Sequence, residues 1–133
     1  MNMVKSDLKK IAKKYDLKLF ILFGSRAKKK EKKNSDWDLA FYPTKDFNAQ
    51  DEMNLFNDII SLLNDEKVDL LNLKKSKKLH VINNVFQKGE LIYEKDKGLF
   101  DKKKWDAWFD FQDFKKYYDM QHNITKERLK EMS

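Results

Sequence analysis

Three aspartates and a Gly-Ser pair stand at positions in this chain that suit a reaction on a phosphate group. Gly24 and Ser25 end an apolar run, and ten residues later Asp36 and Asp38 open a second apolar run. This arrangement suits a nucleoside triphosphate that is held by metal ions. It consists of an apolar strand, a turn of small residues, a basic loop and paired carboxylates. The third aspartate, Asp69, lies in a later apolar run.

The pair formed by Asp36 and Asp38 has the geometry of a metal-binding pair on a strand. Side chains alternate along a strand, so both carboxylates project from one face, with backbones only ~7 Å apart. Their oxygens can converge on one Mg²⁺, or on two ions ~3.5–4 Å apart, and a bound cation relieves their mutual repulsion. Trp37, between them, is predicted to face the core on the opposite side.

Asp69 is the candidate for a third carboxylate in the same site. It is a charged residue inside the strand-like apolar run of residues 67–71. Buried carboxylates are rare without partners, so this position indicates a functional role. Asp69 would complete the metal site, and it could accept the proton of an attacking hydroxyl as a general base.

The turn at Gly24 and Ser25 is the candidate phosphate-binding segment. Glycine permits a tight turn, and Ser25 and the amides after it can bind terminal phosphates if a helical turn begins there. Arg26 and Arg128 are the chain's two arginines among 29 basic residues, so an arginine inside the motif favours forked donors at that position. The basic run Lys28–Lys33 could attract polyphosphate, or it could be a solvated loop.

The elements that must position these residues follow the order helix, strand, strand, helix, strand, helix, strand, helix. The predicted helices span residues 3–15, 49–64, 77–88 and the segment after 98, and the predicted strands span 17–23, 37–42, 68–73 and 91–93. Asn48 is expected to cap the second helix, Pro43 to stop the second strand, and Gly89 to end the third helix. This order predicts an α/β or α+β domain with a small mixed sheet flanked by helices.

Composition bounds the class of protein. A length of 133 residues predicts one domain spanning residues 1–133. The chain has no cysteine, and no apolar run reaches the length of a signal peptide or a membrane span, so we expect a soluble cytoplasmic protein. The net charge of +7 permits binding to nucleic acid, but a surface dominated by interspersed lysines favours simple solvation.

Residues 98–133 form an aromatic segment that we predict to be a helix that binds a partner. Its apolar positions are too numerous for one narrow stripe, so part of the helix should pack on the sheet and the rest should form an exposed patch. The expected exposed anchors are Trp108, Phe111, Phe114 and Tyr118.

The motif resembles that of the minimal nucleotidyltransferases of the DNA polymerase β superfamily: Gly-Ser, ten residues, Asp-x-Asp, and a third carboxylate on a later strand. Residues 68–73, 87–96 and 105–118 resemble one subgroup, the MNT antitoxins that are encoded beside HEPN-domain ribonuclease toxins. The resemblance covers most of residues 15–120. The chain departs from the pattern at Lys29, where members commonly have glycine, and at Lys33, where they often have proline.

The resemblance implies a nucleotidyltransferase fold and Mg²⁺-dependent transfer of AMP from ATP to a tyrosine hydroxyl of the toxin, with release of pyrophosphate. It implies that Asp36 and Asp38 hold two metal ions, that Asp69 activates the hydroxyl, and that the Gly24–Ser25 turn, assisted by Arg26, holds the β- and γ-phosphates. Two alternatives stay open. The chain could modify a small hydroxylated molecule or RNA, or it could be a non-catalytic antitoxin that acts by occlusion.

Overall fold

The computed structural model describes residues 2–24 and 36–132. Within these residues, four helices surround one sheet of four strands: α1 (Asn2–Lys14), β1 (Leu17–Phe23), β2 (Trp37–Pro43), α2 (Ala49–Leu63), β3 (Val68–Asn72), α3 (Leu79–Lys88), β4 (Glu90–Glu94) and α4 (Leu99–Met132). The predicted order of elements is confirmed, with boundaries that differ by one or two residues. The predicted loop at Lys28–Lys33 lies outside the described residues.

The sheet is mixed, as predicted, and its strands follow the order β3, β2, β1, β4. β1 is antiparallel to both β2 and β4. β2 and β3 are parallel, which requires the long crossover that α2 provides. The strand that carries the Asp-Trp-Asp motif therefore has a neighbour on each side, whereas β3 lies at an edge.

Helices cover both faces of the sheet. On the first face, α1 and α2 pack against a core cluster that includes Leu8, Ala12, Phe20, Leu39, Phe41, Leu55 and Ile59. On the second face, α3 and the beginning of α4 pack against a cluster that includes Leu19, Ile21, Ala40, Val85, Phe86 and Ala107. Because side chains alternate along β2, the residues on either side of Ala40 belong to the first cluster while Ala40 belongs to the second.

The start of α2 is fixed by the cap that the sequence predicts at Asn48. The Asn48 Oδ1 accepts a hydrogen bond from the Asp51 N–H at 2.8 Å, and the Asp51 carboxylate accepts one from the Asn48 N–H at 3.0 Å. This reciprocal pair satisfies two backbone donors that the helix leaves unpaired. At the other end of α2, Asn64 adopts the left-handed conformation, with φ of 50°.

Gly89 follows α3 and brings the end of that helix close to β1. The helix ends there as predicted, but Gly89 has an extended backbone (φ −78°, ψ 158°) rather than the left-handed conformation common after helices. A Cβ at this position would lie 2.6 Å from the Ile21 Cγ2 and 2.3 Å from the Val85 carbonyl oxygen. Glycine is therefore required at this position by close packing.

Replacing Gly89 with alanine is expected to lower the free energy of unfolding by ~1–3 kcal/mol, because the added methyl group forces α3 and β1 apart. Urea denaturation would measure the loss. Lys88→Ala, at an exposed neighbouring position, is the control and should change stability by no more than ~0.5 kcal/mol. Equal stability of the two variants would contradict this account of the packing.

The long helix α4 packs against the rest of the fold, mainly against α3, only over its first third. Leu99, Phe100 and Ala107 join the second core cluster, whereas every residue from 113 to 130 is exposed. No helix in the part of the chain that the structure describes, α4 included, combines the length and the apolar character that crossing a membrane requires.

Candidate active site

Asp38 lies at the centre of an acidic cluster on the second face of the sheet. Its register partners are Phe23 on β1 and Asp69 on β3, so Asp69 is directly beside it on the neighbouring parallel strand. Alternation puts both carboxylates on the face that Ala40 shares, and Asp36 is two residues before Asp38. Trp37 packs against the first core cluster on the opposite face, as predicted.

The three carboxylates influence one another electrostatically. Burial raises the pKa of Asp38 above its usual value, and repulsion first from Asp69 and then from Asp36 raises it further. Asp38 is half-buried, whereas Asp36 and Asp69 are exposed. A cation bound at this cluster would offset the repulsion and would favour the ionised form of Asp38.

The chemistry of the donor set fits Mg²⁺, which prefers carboxylate oxygens together with oxygens from water and phosphate. Over residues 2–24 and 36–132, however, no group of three or more His, Cys, Asp or Glu side chains is arranged so that it could hold a metal ion. The predicted convergence of Asp36, Asp38 and Asp69 is therefore not preformed in these side-chain positions. At least one of the carboxylates would have to reorient for all three to bind one ion.

Asp69 is more exposed than its position in an apolar run predicts. It is exposed, because β3 is an edge strand and its apolar neighbours Val68 and Leu70 face the first core cluster on the other side of the sheet. The expectation that the apolar run would enclose Asp69 is wrong. Its exposure leaves the carboxylate accessible to a molecule that approaches from outside.

Gly24 lies directly against Asp38 at the end of β1. Its backbone is left-handed, with φ of 75°, and a Cβ would lie 2.1 Å from the Asp38 Oδ2. The left-handed conformation favours glycine here, and a residue with a Cβ would displace the Asp38 carboxylate. Ser25 and Arg26 lie outside the described residues, so their assignment to nucleotide binding stays a prediction.

The exposed aromatic side chains of α4 agree only in part with those predicted. Trp108, Phe114 and Tyr118 are exposed as expected. Phe111 is half-buried, because it follows Phe100 by eleven positions, about three helical turns, and so lies on the packed side of the helix.

Three further exposed aromatics of α4 were not predicted: Trp105, Phe109 and Tyr117. The ring centroids of Trp105 and Phe109 are 6.1 Å apart, and Trp105 is 62% exposed. The spacing of Phe100 and Ala107, which defines the buried side, is the signal that could have identified them. Trp105 and Phe109 fall on the opposite side of the same helix.

A comparison with known families identifies this arrangement. The family described as "Polymerase beta, Nucleotidyltransferase" matches residues 6–98, which include β1, β2, β3 and all three aspartates. The chain belongs to this family. Membership of the family indicates the fold and the general class of reaction, but it does not identify the molecule that accepts the transferred nucleotide.

One curated relative of this nucleotidyltransferase is the protein adenylyltransferase MntA of Aphanizomenon flos-aquae (strain 2012/KM1/D3). The two sequences are 32% identical over 96 residues. The alignment covers 65% of this chain and 63% of the relative, so the chain spans less than two thirds of that protein's length.

Solved structures share the fold of this nucleotidyltransferase at low sequence identity. A chain of a toxin–antitoxin crystal structure with AMP-PNP aligns with a TM-score of 0.77 and 18% identity, covering 91% of this chain and 97% of that one. A chain from the complex of tri-AMPylated Shewanella oneidensis HEPN toxin with MNT antitoxin aligns with a TM-score of 0.73 and 16% identity, covering 93% and 97%. Such coverage shows that the shared fold extends over most of both chains.

Proposed function

We propose that this nucleotidyltransferase is an antitoxin that transfers AMP from ATP to a tyrosine hydroxyl of a partner HEPN-domain toxin. The acidic cluster carries the proposal, because Asp38 has Asp69 beside it on one strand and Gly24 against it on the other side. The relative that is named a protein adenylyltransferase supports the choice of AMP. The likeness to chains of toxin–antitoxin complexes supports the choice of partner.

In the proposed reaction the acceptor oxygen forms a bond to the α-phosphorus of ATP, and the bond from that phosphorus to the oxygen bridging the β-phosphate breaks. Pyrophosphate leaves, and the proton of the hydroxyl passes to the exposed carboxylate of Asp69. Asp36, Asp38 and Asp69 would hold Mg²⁺, which when bound neutralises charge on the triphosphate. The chain's own contribution is to position the reactants and to supply the carboxylates.

Gly24 has a distinct part in the proposed site. Because it has no side chain, the backbone after β1 can approach both the triphosphate and the Asp38 carboxylate. We assign Ser25 and Arg26, which follow it in sequence, to the β- and γ-phosphates. Hydroxyl, amide and guanidinium groups are suitable donors for these oxygens.

Labelled ATP tests the proposed reaction. The protein is mixed with Mg²⁺ and a HEPN-domain toxin of the kind proposed as its partner, and ATP carries the label at either the α- or the γ-phosphate. Label on the partner from α-labelled but not γ-labelled ATP is the expected result. Label from the γ-phosphate, or no label from either, would contradict the proposal. RNA and a hydroxylated antibiotic serve as alternative acceptors and should remain unlabelled.

We also propose that α4, within the segment 98–133, is the surface that binds the toxin. Residues 113–130 are exposed along their whole length, and they include Phe114, Tyr117 and Tyr118 at 45–59% exposure. Large aromatic side chains that no described neighbour covers are typical of binding surfaces. This exposed surface also favours a second candidate function, in which the chain neutralises the toxin by occlusion alone.

Truncating the aromatic pair on α4 should weaken the complex. The double variant Phe114→Ala/Tyr118→Ala removes two rings that lie 6.3 Å apart, and we expect partner affinity to fall at least about 10-fold. Isothermal titration calorimetry would measure the affinity, and Lys116→Ala on the same exposed stretch is the control. Equal affinities of the control and the double variant would exclude α4 as the docking surface.

A further inference from the structure

In the part of the chain that the structure describes, the outer edge of β3 is open, and it carries backbone groups that can pair with another strand. Within residues 2–24 and 36–132, β3 has a strand neighbour on one side only. The Trp37 N–H donates to the Lys67 carbonyl, and the Leu73 N–H donates to a carbonyl of β2. Backbone groups of a strand alternate in direction, so the odd-numbered residues of β3 face β2. The N–H and C=O of Leu70 therefore point outward.

An apolar pocket of about 450 Å³ opens beside this edge, between α2 and β3. Its apolar walls are formed by Met53 and Phe56 from α2 and by Val68 and Leu70 from β3. Met53 is 53% exposed, which is a large uncovered apolar side chain on the surface of a helix. Asp69 also borders this pocket, so the pocket lies at the same position along the strand as the acidic cluster, on the opposite face of the sheet.

We propose that the acceptor polypeptide binds as an extended strand along the outer edge of β3, an inference that rests on the proposed transfer to a protein hydroxyl. Pairing with the outward N–H and C=O of Leu70 would fix the register of that strand. Its acceptor residue lies on the same face of the sheet as Asp69. The residues immediately before and after it point to the opposite face, where the apolar pocket receives one of them.

This geometry specifies the kind of substrate. The acceptor hydroxyl belongs to a segment that can become extended, such as a tail or a loop, and an apolar residue lies next to it in sequence. Backbone pairing gives affinity regardless of sequence, and the pocket of Met53 and Phe56 gives preference for an apolar neighbour. Specificity would thus come from the neighbours of the modified residue as well as from the residue itself.

A second copy of the chain fits this edge less well than a substrate segment does. β3 has five residues and is therefore only ~16 Å long. Stable protein interfaces bury roughly 1,200 Å² or more, which is more than one short strand supplies. A substrate that must leave after each turnover needs no such area.

Synthetic peptides test the inference directly. Ten-residue peptides with one central tyrosine carry either valine or serine on both sides of it, and their binding is measured by fluorescence anisotropy with the full chain. The valine-flanked peptide should bind at least about five-fold more tightly. In a second series of valine-flanked peptides, each peptide carries one N-methyl group at a different backbone position. Affinity should fall about five-fold when the methyl group is at every second position, because only alternate N–H groups face β3.

A variant of the pocket supplies a second, independent measurement. Met53→Lys should abolish the preference for valine over serine, since it places a charge in the apolar wall. Asn54→Lys is the matched control, because it adds the same charge at an exposed position of the same helix that does not line the pocket. The control should keep the preference within about two-fold.

The outcomes separate this inference from the proposed function. Binding that shows the alternate-position pattern and the effect of Met53→Lys supports edge pairing. If such binding occurs but no AMP is transferred to the peptides, only the proposed transfer fails. Three results would overturn edge pairing: no peptide binding at millimolar concentration, binding without the alternation, or equal effects of Met53→Lys and Asn54→Lys. A dimer that Met53→Lys dissociates in sedimentation would also overturn it, since a second copy would then occupy the edge.

Discussion

Replacing Asp38 with asparagine is expected to reduce the rate of AMP transfer by at least about 10²-fold while making the folded protein more stable at neutral pH. The substitution keeps the shape of the side chain but removes the charge at the centre of the acidic cluster. In the proposed reaction, that charge helps to hold the cation on which the transfer would depend. In the free protein, the same charge is repelled by Asp69 and Asp36.

The effect of this substitution on stability follows from the raised pKa of Asp38. A carboxyl whose pKa is higher in the folded than in the unfolded chain destabilises the fold at pH values above its folded pKa. The destabilisation disappears as the pH falls through that pKa and the group is protonated. Asp38→Asn should therefore raise the melting temperature at pH 7, and the difference should diminish on acidification.

Thermal melts across this pH range, together with initial rates of labelled AMP transfer, measure both effects in one variant. Asp7→Asn is the control, because among the described residues Asp7 forms an ion pair with Lys10 alone, exposed and 3.9 Å long, and such pairs contribute little. It should change neither the rate nor the pH dependence. Full activity of Asp38→Asn would refute the role of the cluster, and a lower melting temperature at pH 7 would refute the electrostatic account.

Gly24→Ala is the second substitution for which we expect a large effect, again about 10²-fold on the rate of transfer. The added Cβ would lie 2.1 Å from the Asp38 Oδ2, so the carboxylate must move from its position. The left-handed backbone, with φ of 75°, adds a cost of ~1–2 kcal/mol for any residue with a Cβ.

Gly98→Ala separates these two causes. Gly98 also has a left-handed backbone, with φ of 89°, but a Cβ there would meet no atom within 4 Å. Both alanine variants should lose stability in urea denaturation, whereas only Gly24→Ala should lose activity. If the two variants were equally active, the close contact between Gly24 and Asp38 would have no part in catalysis.

The sequence was sufficient to predict the elements and the orientation of the motif. The alternation of side-chain direction along a strand correctly predicted that Trp37 faces the core while Asp38 faces the other side. The cap at Asn48 was predictable because it depends on neighbouring residues only. These features are local, so periodicity and residue type are enough to predict them.

Features that depend on distant parts of the chain were harder to predict. The parallel register that puts Asp69 beside Asp38 depends on how α2 crosses between two strands, and the exposure of Asp69 depends on β3 being an edge strand. Phe111 was misplaced because the phase of α4 is set by the packing of Phe100 and Ala107. The division of the chain into one domain spanning 1–133 stays a prediction.

The open edge of β3 connects the two proposals. If α4 holds the toxin and β3 pairs with its acceptor segment, one partner would contact two separated surfaces of the nucleotidyltransferase. Phe114→Ala/Tyr118→Ala should then weaken the complex without changing the affinity for short peptides. Met53→Lys should lower the affinity for short peptides without weakening the complex.

Intact-mass spectrometry of the partner toxin shows whether AMP is transferred to it. The toxin is incubated with ATP, Mg²⁺ and either the wild-type chain or the Asp36→Asn/Asp38→Asn variant, and its mass is measured before and after. The account predicts that the mass rises by whole multiples of an AMP group with the wild-type chain and stays unchanged with the variant. An unchanged mass in both samples, or the same increase in both, would contradict it.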